Sequence, residues 1–274
     1  MVISIRKSII LLLVLVFLIA SCVMVAKPAS SSADATEDSW ASRAPMHVAR
    51  SSLGVAAVNG KIYAIGGTTL SGMWPSESGG IVDTNEEYDP VKDSWASKTA
   101  MPTPRYDFAI AVYQSKIYCI GGSTGISSNG QVFTEANEVY DPATNTWETR
   151  APMPTPRSYL TANVVNDKIY LIGGYVGNVS SGYSYLNLNS VCDPATDSWA
   201  TKTPMPTASG SHASAVVDNK IYNIDSNLNQ IYNPETDTWS LGAPLPLSVK
   251  HGAAGATTGV NALKRITLLV IAGL

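Results

Sequence analysis

Three arginines in this 274-residue chain occupy one place in a repeated pattern. Arg50, Arg105 and Arg157 each stand eleven residues before a Lys-Ile-Tyr triplet, which opens at Lys61, Lys116 and Lys168. A guanidinium presents a planar fork of donors matched to a carboxylate, so an arc of such forks can hold an acidic ligand. The same side chain can instead tie its own segment to a neighbouring one, and recurrence in every intact repeat suits that role too. Aromatic residues outside the repeat are the second set of candidates. Trp74 is flanked by Gly72, Pro75 and Gly79, and Tyr183 and Tyr185 fall in a later loop. Exposed rings of this kind stack on sugars or on peptide side chains.

Other chemistries find little support. The histidines are His47, His212 and His251, and no Ser-His-Asp order, paired-carboxylate motif or metal-ligand spacing accompanies them. No catalytic residue, metal or cofactor is therefore expected. The Gly-Gly pairs have no following Lys-Ser/Thr and no helix, which sets aside a phosphate loop. A net charge of −3 without any basic run argues against nucleic acid. Cys119 and Cys192 read as small core residues; a disulfide between them needs close Cα atoms.

The elements that must position these residues come from the repeat itself. Four strand phrases recur: Lys61-Ile-Tyr-Ala-Ile-Gly-Gly, Lys116-Ile-Tyr-Cys-Ile-Gly-Gly, Lys168-Ile-Tyr-Leu-Ile-Gly-Gly and Lys220-Ile-Tyr-Asn-Ile-Asp-Ser. Each is followed by a second signature: Tyr88-Asp-Pro to Trp95, Tyr140-Asp-Pro to Trp147, Cys192-Asp-Pro to Trp199, and Tyr232-Asn-Pro to Trp239. The lysines are 55, 52 and 52 residues apart, a period that indicates radially repeated four-stranded sheets. Within one unit, Ala109 to Val112 makes a small apolar inner strand and Lys116 to Ile120 the second. Glu138 to Tyr140 makes the third and Trp147 marks the outer one. The Tyr and Trp rings are expected to bury their area between neighbouring units. The pairs Gly66-Gly67, Gly121-Gly122 and Gly173-Gly174 permit positive φ or close backbone approach.

These residues resemble the kelch repeat, over nearly everything after the first forty positions. The resemblance implies an all-β, kelch-type β-propeller with four recognisable four-stranded blades plus a partial fifth formed from the chain ends. The repeats run over about 50–95, 105–147, 157–199 and 209–239, with the partial one over 250–274. In the fifth, Asp38-Ser-Trp40 supplies an outer strand, while His251 to Thr258 and Arg265 to Ala272 supply the first two. The third is missing. Kelch proteins usually have six or seven blades, so a truncated fragment of a longer kelch protein is one reading of this chain. Similar kelch receptors use arginines at this strand entry to hold acidic ligands. Some kelch propellers are enzymes, including a copper-radical sugar oxidase and a sialic-acid mutarotase. The oxidase ligand set has no counterpart here, since His212 aligns with Leu53, Phe108 and Leu160 on an inner strand.

The N-terminus is a separate object. Arg6 and Lys7 precede an apolar run from Ile9 to Ala20, as in a secretory signal. The run ends in Ile19-Ala20-Ser21-Cys22, which looks like a lipobox with Cys22 as the lipid acceptor. Cleavage after Ala26, or retention of 1–26 as an uncleaved anchor, are the alternatives. All three put the repeats outside the cytoplasm, membrane-anchored or secreted. Losing Arg6 and Lys7 with a leader takes the net charge from −3 to −5. Residues 27–38 read as a flexible tether to a propeller over 39–274.

The expected function is extracytoplasmic binding or scaffolding. The ligand is a protein, peptide or glycan on the face where Arg50, Arg105, Arg157, Trp74, Tyr183 and Tyr185 gather. A carbohydrate-active propeller enzyme of the mutarotase or epimerase kind is the alternative.

Overall fold

The computed structural model describes residues 41–69, 80–246 and 248, and the backbone pairing of two further strands, 253–258 and 264–269. Trp74, Cys22, Trp40, Lys250 and His251 lie outside the described residues, as does the proposed tether. The chain divides into two units, Met1–Arg43 and Ala44–Leu274, and every strand belongs to the second. Among the described residues there is no helix.

Alternation of side chains along short β-branched segments builds four antiparallel sheets. Blade 1 is β1 (Gly54–Val58), β2 (Lys61–Ile65), β3 (Asn85–Asp89) and β4 (Ser94–Lys98), paired in that order. Blade 2 begins with β5 (Ala109–Tyr113) and β6 (Lys116–Ile120). A separate hairpin follows, β7 (Ser123–Ser127) with β8 (Gly130–Phe133), before β9 (Asn137–Asp141) and β10 (Thr146–Thr149) complete the sheet. Blade 3 repeats this plan. Its strands are β11 (Thr161–Val165) and β12 (Lys168–Ile172), the hairpin β13 (Tyr175–Asn178) with β14 (Gly182–Tyr185), then β15 (Asn189–Asp193) and β16 (Ser198–Thr201). Blade 4 has no inserted hairpin: β17 (Ala213–Val217), β18 (Lys220–Asp225), β19 (Leu228–Asn233) and β20 (Thr238–Leu241). The pair β21 (Ala253–Thr258) and β22 (Lys264–Leu269) forms a two-stranded sheet where the first two strands of the partial fifth blade are expected, and the outer strand expected from 38–40 lies outside the described residues.

The inner strands stand side by side, β1 with β5, β5 with β11, β11 with β17 and β17 with β21, so the sheets are arranged radially. The facing sides of adjacent blades are therefore buried and the core lies between blades, whereas Val55, on the other side of β1, is 56% exposed. Tyr63, Ile65, Met101, Ile117, Cys119 and Tyr140 pack between blades 1 and 2. Tyr118, Ile120, Met153, Ile169, Leu171 and Cys192 pack between blades 2 and 3. Tyr170, Ile172, Met205, Ile221 and Tyr232 do the same between blades 3 and 4. Cys119 and Cys192 thus belong to different cores, both unbridged, and burial pushes each thiol up to about 12.

The glycine pairs have a specific use. A Cβ on Gly66 would stand 2.7 Å from the Arg105 carbonyl oxygen and one on Gly121 2.9 Å from that of Arg157, while one on Gly173 would meet that of Ser209 closer still. The next glycine donates its N–H to the same carbonyl at 2.9 Å in all three blades. Each blade thereby grips the entry segment of the following one.

The outer tryptophans are less deeply buried than expected, though those of blades 2 to 4 pack against the inter-blade cores. Trp95, Trp147, Trp199 and Trp239 are half-buried, whereas Tyr140 and Tyr232 are 0% exposed. Each indole N–H donates to the linker entering its own blade: Trp95 to Ala44 O, Trp147 to Thr99 O, Trp199 to Ala151 O and Trp239 to Thr203 O, at 2.8–2.9 Å. A neighbouring side chain completes the fastening. Asp93, Asn145, Asp197 and Asp237 accept the N–H of the same four linker residues at 2.9–3.0 Å. The tryptophans staple linkers, and Trp147, Trp199 and Trp239 also pack against the edges of the inter-blade cores.

Candidate binding face

The arginines come together as expected at the entries to the inner strands, but their guanidiniums point into the protein. Arg105 and Arg157 are 0% exposed, and so is the Arg50 side chain. Arg50 donates to Gly66 O at 2.9 Å, Val48 O at 2.8 Å and Ala64 O at 2.7 Å, and forms an ion pair with buried Glu86. Arg105 donates to Thr103 O at 3.0 Å, Cys119 O at 2.8 Å and Glu138 Oε2 at 2.5 Å. Arg157 donates to Gly173 O at 2.9 Å, Thr155 O at 3.0 Å, and Leu171 O and Ser190 Oγ at 3.3 Å. Ser190 stands where blades 1 and 2 have the carboxylate, and burial without a counter-ion pushes the Arg157 guanidinium down to about 10. The three side chains are internal ties. An arc of free guanidiniums is not what this face offers, because every donor nitrogen but the buried Arg105 Nε is turned on carbonyls, Glu86, Glu138 or Ser190 inside the protein.

Two residues after each tie the chain takes a left-handed turn. Ser52, Asp107, Tyr159 and Ser211 have φ of 54°, 51°, 55° and 59°. A chain of backbone bonds links them across the blades: Asp107 N to Ser52 O at 3.1 Å, Tyr159 N to Asp107 O at 3.0 Å, and Ser211 N to Tyr159 O at 2.9 Å. Positive φ is costly for a residue as bulky as tyrosine, and this lattice holds it. The four residues rim a hollow of about 190 Å³ at the mouth of the inner strands, floored by Leu53, Phe108, Leu160 and His212. Tyr159 is bonded to the Asp107 carboxylate, and burial with that carboxylate raises its phenol. His212 is buried, its Nε2 lies 3.0 Å from Thr161 Oγ1, and burial pushes the imidazole down to about 4.

The inserted hairpins rise from the same face. The residue after each tie pairs with the residue after each glycine pair: Ser51 with Thr68, Tyr106 with Ser123, and Ser158 with Tyr175. The β7–β8 and β13–β14 hairpins lean on each other through Val179 N to Asn129 O at 3.0 Å and Gln131 N to the Tyr183 hydroxyl at 3.3 Å. They carry an aromatic cluster centred on Tyr175. Tyr183 stacks on it at 5.3 Å and 4°, Tyr185 tilts at 5.5 Å, Tyr159 meets it edge-on at 5.9 Å, and Phe133 at 6.3 Å. Tyr183 remains 37% exposed and Tyr185 57% exposed. Of the residues expected to bind, these two are at the surface, the arginines are not, and Trp74 lies outside the described residues. Sequence reasoning missed Tyr159, Tyr175 and Phe133. The Asn129-Gly130 turn between alternating residues was a legible sign of the first hairpin.

Four-stranded antiparallel blades with their inner strands side by side define a β-propeller array. The profile described as the KLHDC2/KLHL20/DRC7 Kelch-repeats domain matches residues 53–244, and the chain belongs to the kelch-repeat family. It is 31% identical to Beta-scruin of Limulus polyphemus over 154 residues, 56% of this chain and 16% of that protein. It is 29% identical to Kelch-like protein 15 of Danio rerio over 205 residues, 69% of this chain and 32% of that protein. It is 32% identical to Kelch-like protein terF of Aspergillus terreus over 193 residues, 67% of this chain and 40% of that protein. The chain thus spans well under half the length of these relatives. The solved structure titled "Structure of YjhT" superposes with a TM-score of 0.61 at 20% identity, covering 78% of this chain and 71% of that one, a likeness of fold.

Proposed function

We propose that this protein is an extracytoplasmic kelch-repeat binding protein, lipid-anchored through Cys22, that takes a protein, peptide or glycan ligand on its hairpin face. The observation that carries the reading is the aromatic cluster around Tyr175, where Tyr183 and Tyr185 stay in solvent although apolar neighbours are at hand. Rings held rigidly at a surface give large contact area at little entropic cost, which is the property of a recognition surface. Trp74, in the loop after β2, is a further candidate contact. Arg50, Arg105 and Arg157 act here as ties that fix the entry segments beneath the site.

The test is an array of peptides and glycans probed with the full chain and with the Tyr183→Ala/Tyr185→Ala variant. A ligand bound by the parent chain and lost at least about tenfold by the variant, at unchanged thermal stability, is the expected result. Ligand binding indifferent to both tyrosines would sink the reading. The anchor is checked separately by acyl-probe labelling, which Cys22→Ala should abolish.

A further inference from the structure

Resting on that binding-face reading, we infer that the ligand is a neutral glycan, with one saccharide ring seated in the hollow rimmed by Ser52, Asp107, Tyr159 and Ser211. The hollow and the tyrosine cluster form one site. Tyr159 lines the hollow and meets Tyr175 edge-on. Tyr185 lies against Gly210, whose added Cβ would stand 2.9 Å from the ring, and the next residue, Ser211, lines the hollow. A ring in the hollow therefore has aromatic surface beside it for the next sugar unit.

The chemistry of the lining selects the class. A saccharide ring presents hydroxyls that both donate and accept, and C–H faces that are apolar. The rim supplies the hydroxyls of Ser52, Ser211 and Tyr159 and the Asp107 carboxylate, and the floor supplies Leu53, Phe108 and Leu160. The carboxylate accepts from sugar hydroxyls in charge-assisted bonds. The buried imidazole of His212 lines the same hollow, and its Nδ1 makes no hydrogen bond of ordinary geometry, with the Asn223 amide beside it. The volume, about 190 Å³, is an order of magnitude above the ~10–15 Å³ that admits one water.

Two other ligand classes fit less well. An anionic ligand needs an available cation, and among the described residues the guanidiniums at this face, Arg50, Arg105 and Arg157, are buried with their donors turned on carbonyls, Glu86, Glu138 and Ser190. A quaternary or primary ammonium needs ring faces turned toward it from several sides. Here Tyr175 and Tyr183 face each other at 4°, which leaves a flat shelf rather than a cage. A flat shelf suits the C–H face of a sugar.

The experiment titrates the full chain with neutral, sialylated or uronic-acid, and amino-sugar oligosaccharides, and with acidic and basic peptides, at low and high salt. The inference expects a neutral oligosaccharide to bind with an affinity insensitive to salt. Asp107→Asn, which keeps a side chain tolerant of positive φ, should weaken it by about tenfold or more. Tyr185→Ala should weaken it comparably, and Gly210→Ala should do so by displacing the Tyr185 ring. Because the Tyr185 ring is exposed, its loss tests the site even where Asp107→Asn lowers the melting temperature. Preference for an acidic or basic ligand, lost with Tyr185→Ala, overturns the neutral-glycan assignment and leaves the binding face standing. A neutral glycan that binds equally to Asp107→Asn and Tyr185→Ala places its site elsewhere and overturns both readings. Failure of all these ligands to bind also overturns the assignment.

Discussion

Blade 2 and blade 4 hold equivalent linkers with different side chains. In blade 2 the Arg105 guanidinium joins the Thr103 and Cys119 carbonyls to the Glu138 carboxylate. In blade 4 Ser209 bonds the Asp225 carboxylate, while Gln230 accepts from Thr207 N at 2.8 Å and donates to Thr207 O at 3.1 Å. The strand registers are the same in both, Ala109 opposite Ile120 and Ala213 opposite Ile224. A tie built on a guanidinium and one without it thus serve one scaffold. The tops of the blades differ far more: β7–β8 rises from blade 2, whereas β18 turns directly into β19 with Asp225 opposite Leu228. The scaffold tolerates exchange of its ties, and the blades differ most in what is inserted above them.

The largest effect that can break this comparison lies at the charged tie. Arg105→Ala would strand the Glu138 carboxylate, 3% exposed, without its cation. Removing one partner of a buried pair costs about 3–5 kcal/mol, so the urea midpoint should fall sharply. Arg105→Ser with Glu138→Gln, which brings the Ser209 and Gln230 side chains into blade 2 without the carboxylate that Asp225 supplies, should recover part of that loss by removing the stranded charge. Arg157→Ala should cost less than Arg105→Ala because Ser190 leaves no stranded charge. Equal losses for Arg105→Ala and the double substitution would show that the serine and glutamine hold a linker only together with the Asp225 carboxylate of blade 4.

A second difference between blades is a titration. Where blades 1 and 3 place Leu53 and Leu160, blade 4 places His212, buried and held down to about 4 from 6.5 by burial, against the opposing field of Asp225. The unfolded chain therefore binds more protons than the folded one between pH 6.5 and 4. Its contribution to stability is complete above 6.5 and is lost as pH falls through that window. The loss is roughly 3 kcal/mol at about 1.4 kcal/mol per pH unit. His212→Leu should flatten this part of the pH–stability curve measured by urea unfolding. A curve that keeps its slope assigns the acid sensitivity to other groups.

The blades were legible because each strand phrase carries its own boundary. Lys61, Lys116, Lys168 and Lys220 open the second strands β2, β6, β12 and β18 at the residues where the phrases begin. The partial fifth blade followed from the same register, with β21 at Ala253 and β22 at Lys264 close to the expected starts. The site was less legible. Spacing placed the arginines at the strand entries but is silent on which way a side chain turns; that is decided by partners such as Glu86 and Glu138, which lie more than thirty residues away. Apart from the Asn129-Gly130 turn of the first, the hairpins were hidden for a related reason. Their strands are short, and their support comes from the neighbouring hairpin and from bridges such as Ser158 with Tyr175, not from local hydrophobic alternation. Tyr159 and Tyr175 looked like ordinary repeat and loop residues until the fold brought them together.

The smallest expected effect sharpens the comparison at the blade surface. The lysine that opens each second strand reaches the aspartate of the Asp-Pro turn: Lys61 to Asp89 at 2.6 Å, Lys116 to Asp141 at 3.3 Å and Lys168 to Asp193 at 2.6 Å. Blade 4 keeps Lys220 but replaces the aspartate with Asn233. Asn233 Oδ1 still accepts the N–H of Glu235 at 3.1 Å, as Asp141 accepts that of Ala143 at 2.9 Å, so the turn does not need the charge. Asn233→Asp should therefore leave the backbone unchanged and add only an exposed ion pair. Such pairs contribute well under a kcal/mol and are screened by salt. A slight rise in melting temperature at low ionic strength, vanishing at high salt, is the expected result. A large rise that survives salt would mean that the turn of blade 4 is held less well than those of blades 1 to 3, and that its missing charge, like its missing hairpin, belongs to the difference between the blades.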